Sequence, residues 1–146
     1  MRRAYLAALG AAALALGLSA CASGPRLSDT DKLGLYQRNA GEPVPKIHYF
    51  GTPRSWEPIG ERALVVWVRG NEGYLFTLDA PCPDLSFGKA IRIGDQSGDV
   101  FAGFDSVRVL GGSAPGLACR IRTIQPLDRD ALREDEKSLR QSLGGT

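Results

Sequence analysis

Three cysteines carry the widest chemical range in this chain: Cys21, Cys82 and Cys119. A thiol can pack, bridge, attack an electrophile or carry a covalent group, and which it does depends on what surrounds it. Cys82 stands in Ala80-Pro81-Cys82-Pro83-Asp84, where prolines on both sides restrict the backbone. No Cys-x-x-Cys pair is present, and nothing in the sequence links His48, the one histidine, to either thiol. A nucleophilic or redox Cys82 therefore lacks a visible activating group. An enzyme or redox protein using Cys82 is kept as the alternative reading.

Metal and acid–base chemistry find less. Structural zinc takes four Cys or His ligands, which the chain cannot supply once two cysteines pair, so no metal and no cofactor are expected. The loop Gly94-Asp95-Gln96-Ser97-Gly98-Asp99 is acidic and glycine-rich, but it lacks the alternating acids and terminal Glu of a calcium loop and reads as a polar turn. Ser, His and Asp all occur, yet no Gly-x-Ser-x-Gly elbow sets up a triad around His48. His48 reads instead as a strand-edge or hydrogen-bonded residue, and Asp105 as a turn cap. No catalytic residue is assigned. Trp56 beside Arg54, in Pro53-Arg54-Ser55-Trp56-Glu57-Pro58, is a candidate contact patch.

Cys21 has a different setting. Arg2 and Arg3 precede an Ala-, Leu- and Gly-rich run over residues 4–20, the layout of a secretory leader. A spanning helix needs roughly 20 predominantly apolar residues, so this run is short for a membrane crossing. The small residues Ser19 and Ala20 suit a peptidase cleft. Leu18-Ser19-Ala20-Cys21 resembles the lipobox of bacterial lipoproteins. That resemblance implies removal of residues 1–20, a diacylglycerol on the Cys21 sulfur and acylation of the new amino terminus. One myristoyl chain binds a bilayer transiently, whereas two or more acyl chains anchor stably. Ala22 and Ser23 follow the cysteine without an Asp, which in lipoproteins favours the outer membrane. The expected location is the periplasmic face of that membrane, with the bilayer as a partner through the lipid anchor.

In an oxidising periplasm the two remaining cysteines, Cys82 and Cys119, are most simply a disulfide, with a reactive thiol and unpaired or intermolecular states as the alternatives. A bridge across a loop of this length contributes on the order of 4 kcal/mol. Charge narrows the partners. Losing Arg2 and Arg3 takes the 18 Lys plus Arg to 16, against 16 Asp plus Glu, so the mature chain is formally neutral. A nucleic-acid binder should show a basic surplus or stripe, and none is expected here. An envelope protein or cell-wall component is the expected class of partner.

The elements that must position these residues follow from periodicity. Residues 21–44 are rich in Gly, Pro, Ser, Asp and Asn and read as a lipidated, flexible tether, with a short helix available around Asp29 or Thr30 to Tyr36. Residues 45–146 then form a single β-rich domain. Strands are expected at 46–50, 63–69, 73–78, 89–93, 100–101, 106–109 and 117–124, and the dense run Ala63-Leu64-Val65-Val66-Trp67-Val68-Arg69 is apolar on both faces, as in a strand covered on two sides. Gly70-Asn71-Glu72 makes a hairpin loop between the second and third. Period-two alternation places Leu117, Cys119 and Ile121 inward and Arg120 and Arg122 outward. Strands in succession without helical crossovers imply a small antiparallel barrel or sandwich of about six strands. After Pro126, a helix capped by Asp128 or Asp130 carries Leu132, Leu139 and Leu143 on one stripe expected to pack on the barrel.

Over residues 46–127, the order of Trp56, a Val- and Trp-containing strand, Cys82-Pro83-Asp84-Leu85, an Ile-x-Ile strand, Asp105-Ser106-Val107 and Cys119-Arg120-Ile121 resembles a family of small proteobacterial lipoproteins of unassigned function. The resemblance implies a shared fold and disulfide. The expected function is a non-enzymatic, lipid-anchored periplasmic binding or envelope-structural module; inhibition of a hydrolase such as lysozyme is a further alternative.

Overall fold

The computed structural model describes residues 26–49, 51–95, 98–113 and 116–144. Its elements, in chain order, are α1 (Asp29–Arg38), β1 (Lys46–His48), β2 (Ser55–Ile59), β3 (Ala63–Arg69), β4 (Glu72–Leu78), β5 (Ala90–Ile93), β6 (Asp99–Phe101), β7 (Ser106–Leu110), β8 (Ala118–Leu127) and α2 (Arg129–Gly144). Six strands form one antiparallel sheet in the order β2-β3-β4-β8-β7-β5, curled into a half-barrel, while β1 and β6 make a separate two-stranded ribbon. The mainly β class with a C-terminal helix agrees with the expectation from periodicity.

Burial on two faces organises the sheet. On the concave side Leu64, Val66, Phe76, Leu78, Ile121 and Ile124 meet the ribbon residues Ile47 and Val100. On the other, Val65 and Leu75 are covered by Leu35 and Tyr36 of α1 and Leu132 of α2. Each such Leu or Val contributes about 1.5–3 kcal/mol when fully buried. β3 thus has helices on one side and the barrel core on the other, the reason its run is apolar throughout.

The β3–β4 hairpin is tighter than its sequence suggests. Arg69 pairs with Glu72, leaving a two-residue turn of Gly70 and Asn71, and Gly70 takes the positive φ (44°) needed at the first position. Gly73 lies opposite Trp67, whose ring fills the space where a Cβ would stand. The Arg129 guanidinium lies 4.6 Å from the centroid of that ring.

Two departures from the sequence reading have clear causes. β2 was not among the expected strands; it accommodates Pro58 because it is an edge strand, where a missing N–H is tolerated. In β8 the register shifts between Thr77 and Leu78 of its partner, so Arg122 is the extra residue of a bulge and the inward face passes from Cys119 and Ile121 to Ile124. Leu117, expected inside, lies just before β8 and is 43% exposed.

The expected tether also shortens. Residues 29–44 pack on the sheet: Ser28 caps α1 by accepting from the Asp31 N–H at 3.1 Å, Leu35 is 1% exposed, and Ala40 and Val44 bridge to Leu127 and Ile124. Sequence composition hid this because an isolated short helix is marginal in water and forms through tertiary contact. Asp128 caps α2, its Oδ1 accepting from the N–H groups of Asp130 and Ala131, each at 3.0 Å. Of the Leu stripe, Leu132 is buried, Leu139 half-buried and Leu143 46% exposed, so the helix leaves the sheet along its length. The leader expected over residues 1–20, the expected lipidation of Cys21 and the rest of the expected tether up to residue 25 lie outside the described residues.

Candidate functional site

Cys82 and Cys119 are joined in a disulfide, with Cα atoms 5.7 Å apart. Cys82 is 0% exposed, its N–H donates to the Glu61 carbonyl at 2.8 Å, and neighbouring Leu85 is fully buried. The bridge therefore fastens the loop after β4 to the inward face of β8. A bridged sulfur is no thiolate, so Cys82 offers no nucleophile in this state.

His48 is exposed on β1, directly opposite Asp99 of β6 in the ladder. Its Nδ1 lies 2.8 Å from Asp99 Oδ1, and Lys46 Nζ donates to Asp99 Oδ2 at 2.9 Å. These bonds, His48 first and Lys46 second, hold the Asp99 carboxyl below the ordinary aspartate range. The pairing depends on register across the ribbon and left no mark in local sequence. Asp105 caps its turn as expected, accepting from the Phe101 N–H at 2.7 Å. The interior holds one buried side-chain hydroxyl without a partner among the described residues: Tyr49, 3% exposed, whose phenol burial pushes up to about 12.

The proposed patch at Trp56 and Arg54 divides. Trp56, on β2, is half-buried against the concave core, whereas Arg54 is exposed and its N–H donates to the Trp67 carbonyl at 2.9 Å. The indole is thus a packing residue at the sheet edge.

A stronger surface lies at the opposite end of the sheet. Helices cover β2, β3, β4 and the end of β8, but the outward face of β5, β7 and the start of β8 carries exposed side chains: Arg92 on β5, Arg108 and Leu110 on β7, and Arg120 on β8. Arg92 stands directly opposite Arg108, and Arg120 pairs with Ser106, one diagonal step from Arg108. Directly opposed like charges destabilise a ladder, so this arrangement is a cost to the fold. Arg108 Nη1 donates to the Gly116 carbonyl at 3.1 Å. Among the described residues none of these three arginines forms a salt bridge; Arg122, the bulged residue, does, with Asp79 at 3.1 Å. Phe104, 85% exposed, lines a shallow cavity of about 440 Å³ together with Arg92, Arg108, Asp95 and Asp105. Alternation in β5, β7 and β8 signalled each arginine as outward-facing. That they share one uncovered face required the strand order β8-β7-β5.

Guanidinium groups in this arrangement suit oxyanions, carboxylate or phosphate, through paired N–H donors. Among the described residues, no group of three or more His, Cys, Asp or Glu side chains is placed to hold a metal ion.

Residues 3–142 match the profile of a family described as a family of unknown function (DUF6491). No curated protein and no solved structure matches the chain.

Proposed function

Because the chain belongs to that family of unknown function, which carries no activity over with it, we propose a role from the chemistry of its own residues: a lipid-anchored envelope protein that binds an anionic envelope component without catalysing a reaction. The observation that carries the binding role is the ladder-opposed pair Arg92 and Arg108, joined by Arg120 on the adjacent strand, none of them in a salt bridge among the described residues. Arginines beside exposed Phe104 and Leu110 have the composition of protein recognition surfaces, where Arg and aromatic residues dominate binding energy.

The anchoring half of the reading rests on Leu18-Ser19-Ala20-Cys21 and the apolar run before it, both inside the family match. Cys21 would carry the acyl chains at the outer membrane, and the bridged domain would then display its arginine face in the periplasm. The disulfide suits that oxidising compartment.

The test is co-sedimentation of the purified full-length protein with isolated cell-wall sacculi, alongside envelope crosslinking. The triple variant Arg92→Ser/Arg108→Ser/Arg120→Ser should lose most of the bound fraction and of the crosslinked species, while remaining folded by circular dichroism. An unchanged bound fraction together with an unchanged crosslinking pattern refutes the arginine face as the binding surface. Membrane fractionation of Cys21→Ser tests the anchor separately: it should move to the soluble fraction.

A further inference from the structure

We propose that α2 and the groove beside it are a membrane-seating face, applied to the anionic phospholipid surface to which the chain is tethered. The inference rests on lipidation of Cys21, and adds an orientation to it. Only four residues separate Cys21 from Arg26, five steps along the chain that span at most roughly 17 Å when fully extended. Whatever holds Cys21 at a bilayer therefore holds the start of α1 close to it.

The surface at that point has the character of an interfacial element. Between α1 and the second half of α2 runs a groove of about 890 Å³, whose walls include Arg26, Leu27, Leu35, Leu139 and Leu143. Among the polar residues that also line it, which include Asp29 and Glu136, Lys32, Tyr36 and Glu57 bond to one another. Lys32 Nζ donates to Glu57 Oε1 at 2.5 Å, and the Tyr36 hydroxyl donates to Glu57 Oε2 at 3.0 Å. Burial first, and the Glu57 carboxylate second, push the Tyr36 phenol upward, so it stays a donor.

Along α2 the apolar stripe is half used. Leu132 is buried at the sheet, but Leu143, three turns on, is 46% exposed and Leu139 is only partly covered. At 100° per residue, Arg133, Lys137 and Arg140 fall on one flank of that stripe, and they converge with Glu136 around a second, smaller depression. Arg133 has a long ion pair with Asp130 at 3.9 Å, while Arg26, Lys137 and Arg140 have no salt bridge among the described residues. An apolar stripe flanked by Lys and Arg is the pattern of helices that lie in the plane of a headgroup layer. Each basic side chain near an anionic surface strengthens attachment roughly fivefold. The lipid anchor supplies the high local concentration that lets so small a face engage.

The test is hydrogen exchange of the full-length lipidated protein, reconstituted in three media: vesicles of phosphatidylethanolamine with phosphatidylglycerol, phosphatidylcholine vesicles, and detergent. The expected result is slowing of exchange over residues 137–144, about tenfold or more in phosphatidylglycerol vesicles relative to the other two, given two free basic groups at this end of α2. Lys137→Glu/Arg140→Glu should abolish that difference while the protein stays in the vesicle pellet, and Leu143→Asp should weaken it. Equal exchange in all three media, with the protein in the pellet, overturns the seating face but leaves the anchor standing. Slowing that grows with the ratio of protein to lipid instead assigns the face to a second copy and also overturns it. Absence of the protein from every vesicle pellet refutes the anchor, and the seating face with it.

Discussion

Replacing the bridged pair with Cys82→Ala/Cys119→Ala should cost the domain on the order of 4 kcal/mol. The magnitude follows from the 37-residue separation of the two cysteines. Cross-linking over that length removes loop-closure entropy from the unfolded chain worth about 3.8 kcal/mol at 25 °C in the chain-entropy model. The closed loop holds β5, β6 and β7, which supply Ile91, Val100, Val107 and Val109 to the concave core, so opening it frees about a third of the sheet in the unfolded state. Domains of this size are stable by about 5–15 kcal/mol, so the variant should be near the lower limit of folding. The assay is urea denaturation of three samples: oxidised protein, protein with the bridge reduced, and the double variant. With a slope of about 2 kcal/mol per molar urea, the midpoint should fall by about 2 M in both the second and third samples. The reduced sample retains both sulfur atoms, so it isolates the cross-link from lost packing at two buried positions. The slope itself should rise, because an unbridged chain exposes more surface when unfolded. Midpoints within about 0.3 M of one another in all three samples would refute the reasoning, since loop closure would then contribute nothing.

Leu35→Ala should cost about 2–5 kcal/mol, because Leu35 is fully enclosed between α1 and the sheet; an unchanged thermal midpoint would mean that residues 29–44 do not belong to the fold. Gly73→Ala should cost about 1–3 kcal/mol and perturb the near-UV signal of Trp67, since the added methyl falls within the indole ring; a silent substitution would mean that the ring does not lie across Gly73. Tyr49→Phe should leave stability unchanged or raise it by about 1 kcal/mol, because the hydroxyl it removes is buried without a partner, and a loss greater than about 1 kcal/mol would reveal a bonded hydroxyl. Asp99, held below its ordinary value of 3.8 by His48 and Lys46, should contribute to the β1–β6 ribbon above that value and lose the contribution as pH falls through the depressed folded value. Carboxyl titration by NMR checks this, and a midpoint at or above the ordinary value would contradict the observed geometry.

Much of the architecture was local enough to be read directly. The strand at 63–69 announced itself by apolar residues on both faces, and the strand at 106–110 by alternation, because side-chain direction in a strand depends only on parity. Cys119 faced inward for the same reason. The residues that depend on distant partners were not legible. β2 was not foreseen, and it holds Pro58 because it occupies an edge, where the missing N–H costs no ladder bond. The short helix expected from Asp29 or Thr30 to Tyr36 is present as α1, but it is too short to be stable alone, and its docking through Leu35 and Tyr36 against β3 and β4 was not foreseen.

The candidate site divides along the same line. Sequence by itself showed the apolar run over residues 4–20 before Cys21, the equal numbers of Lys plus Arg and of Asp plus Glu after it, and the outward parity of Arg92, Arg108 and Arg120. Tertiary structure decided that these arginines lie on three adjacent strands, that no helix covers them, and that Trp56 is packed at the other end of the sheet. The physical reason is range: direction along a strand is a property of neighbouring peptide units, whereas adjacency across a sheet depends on which strands find one another as the whole chain buries its apolar faces.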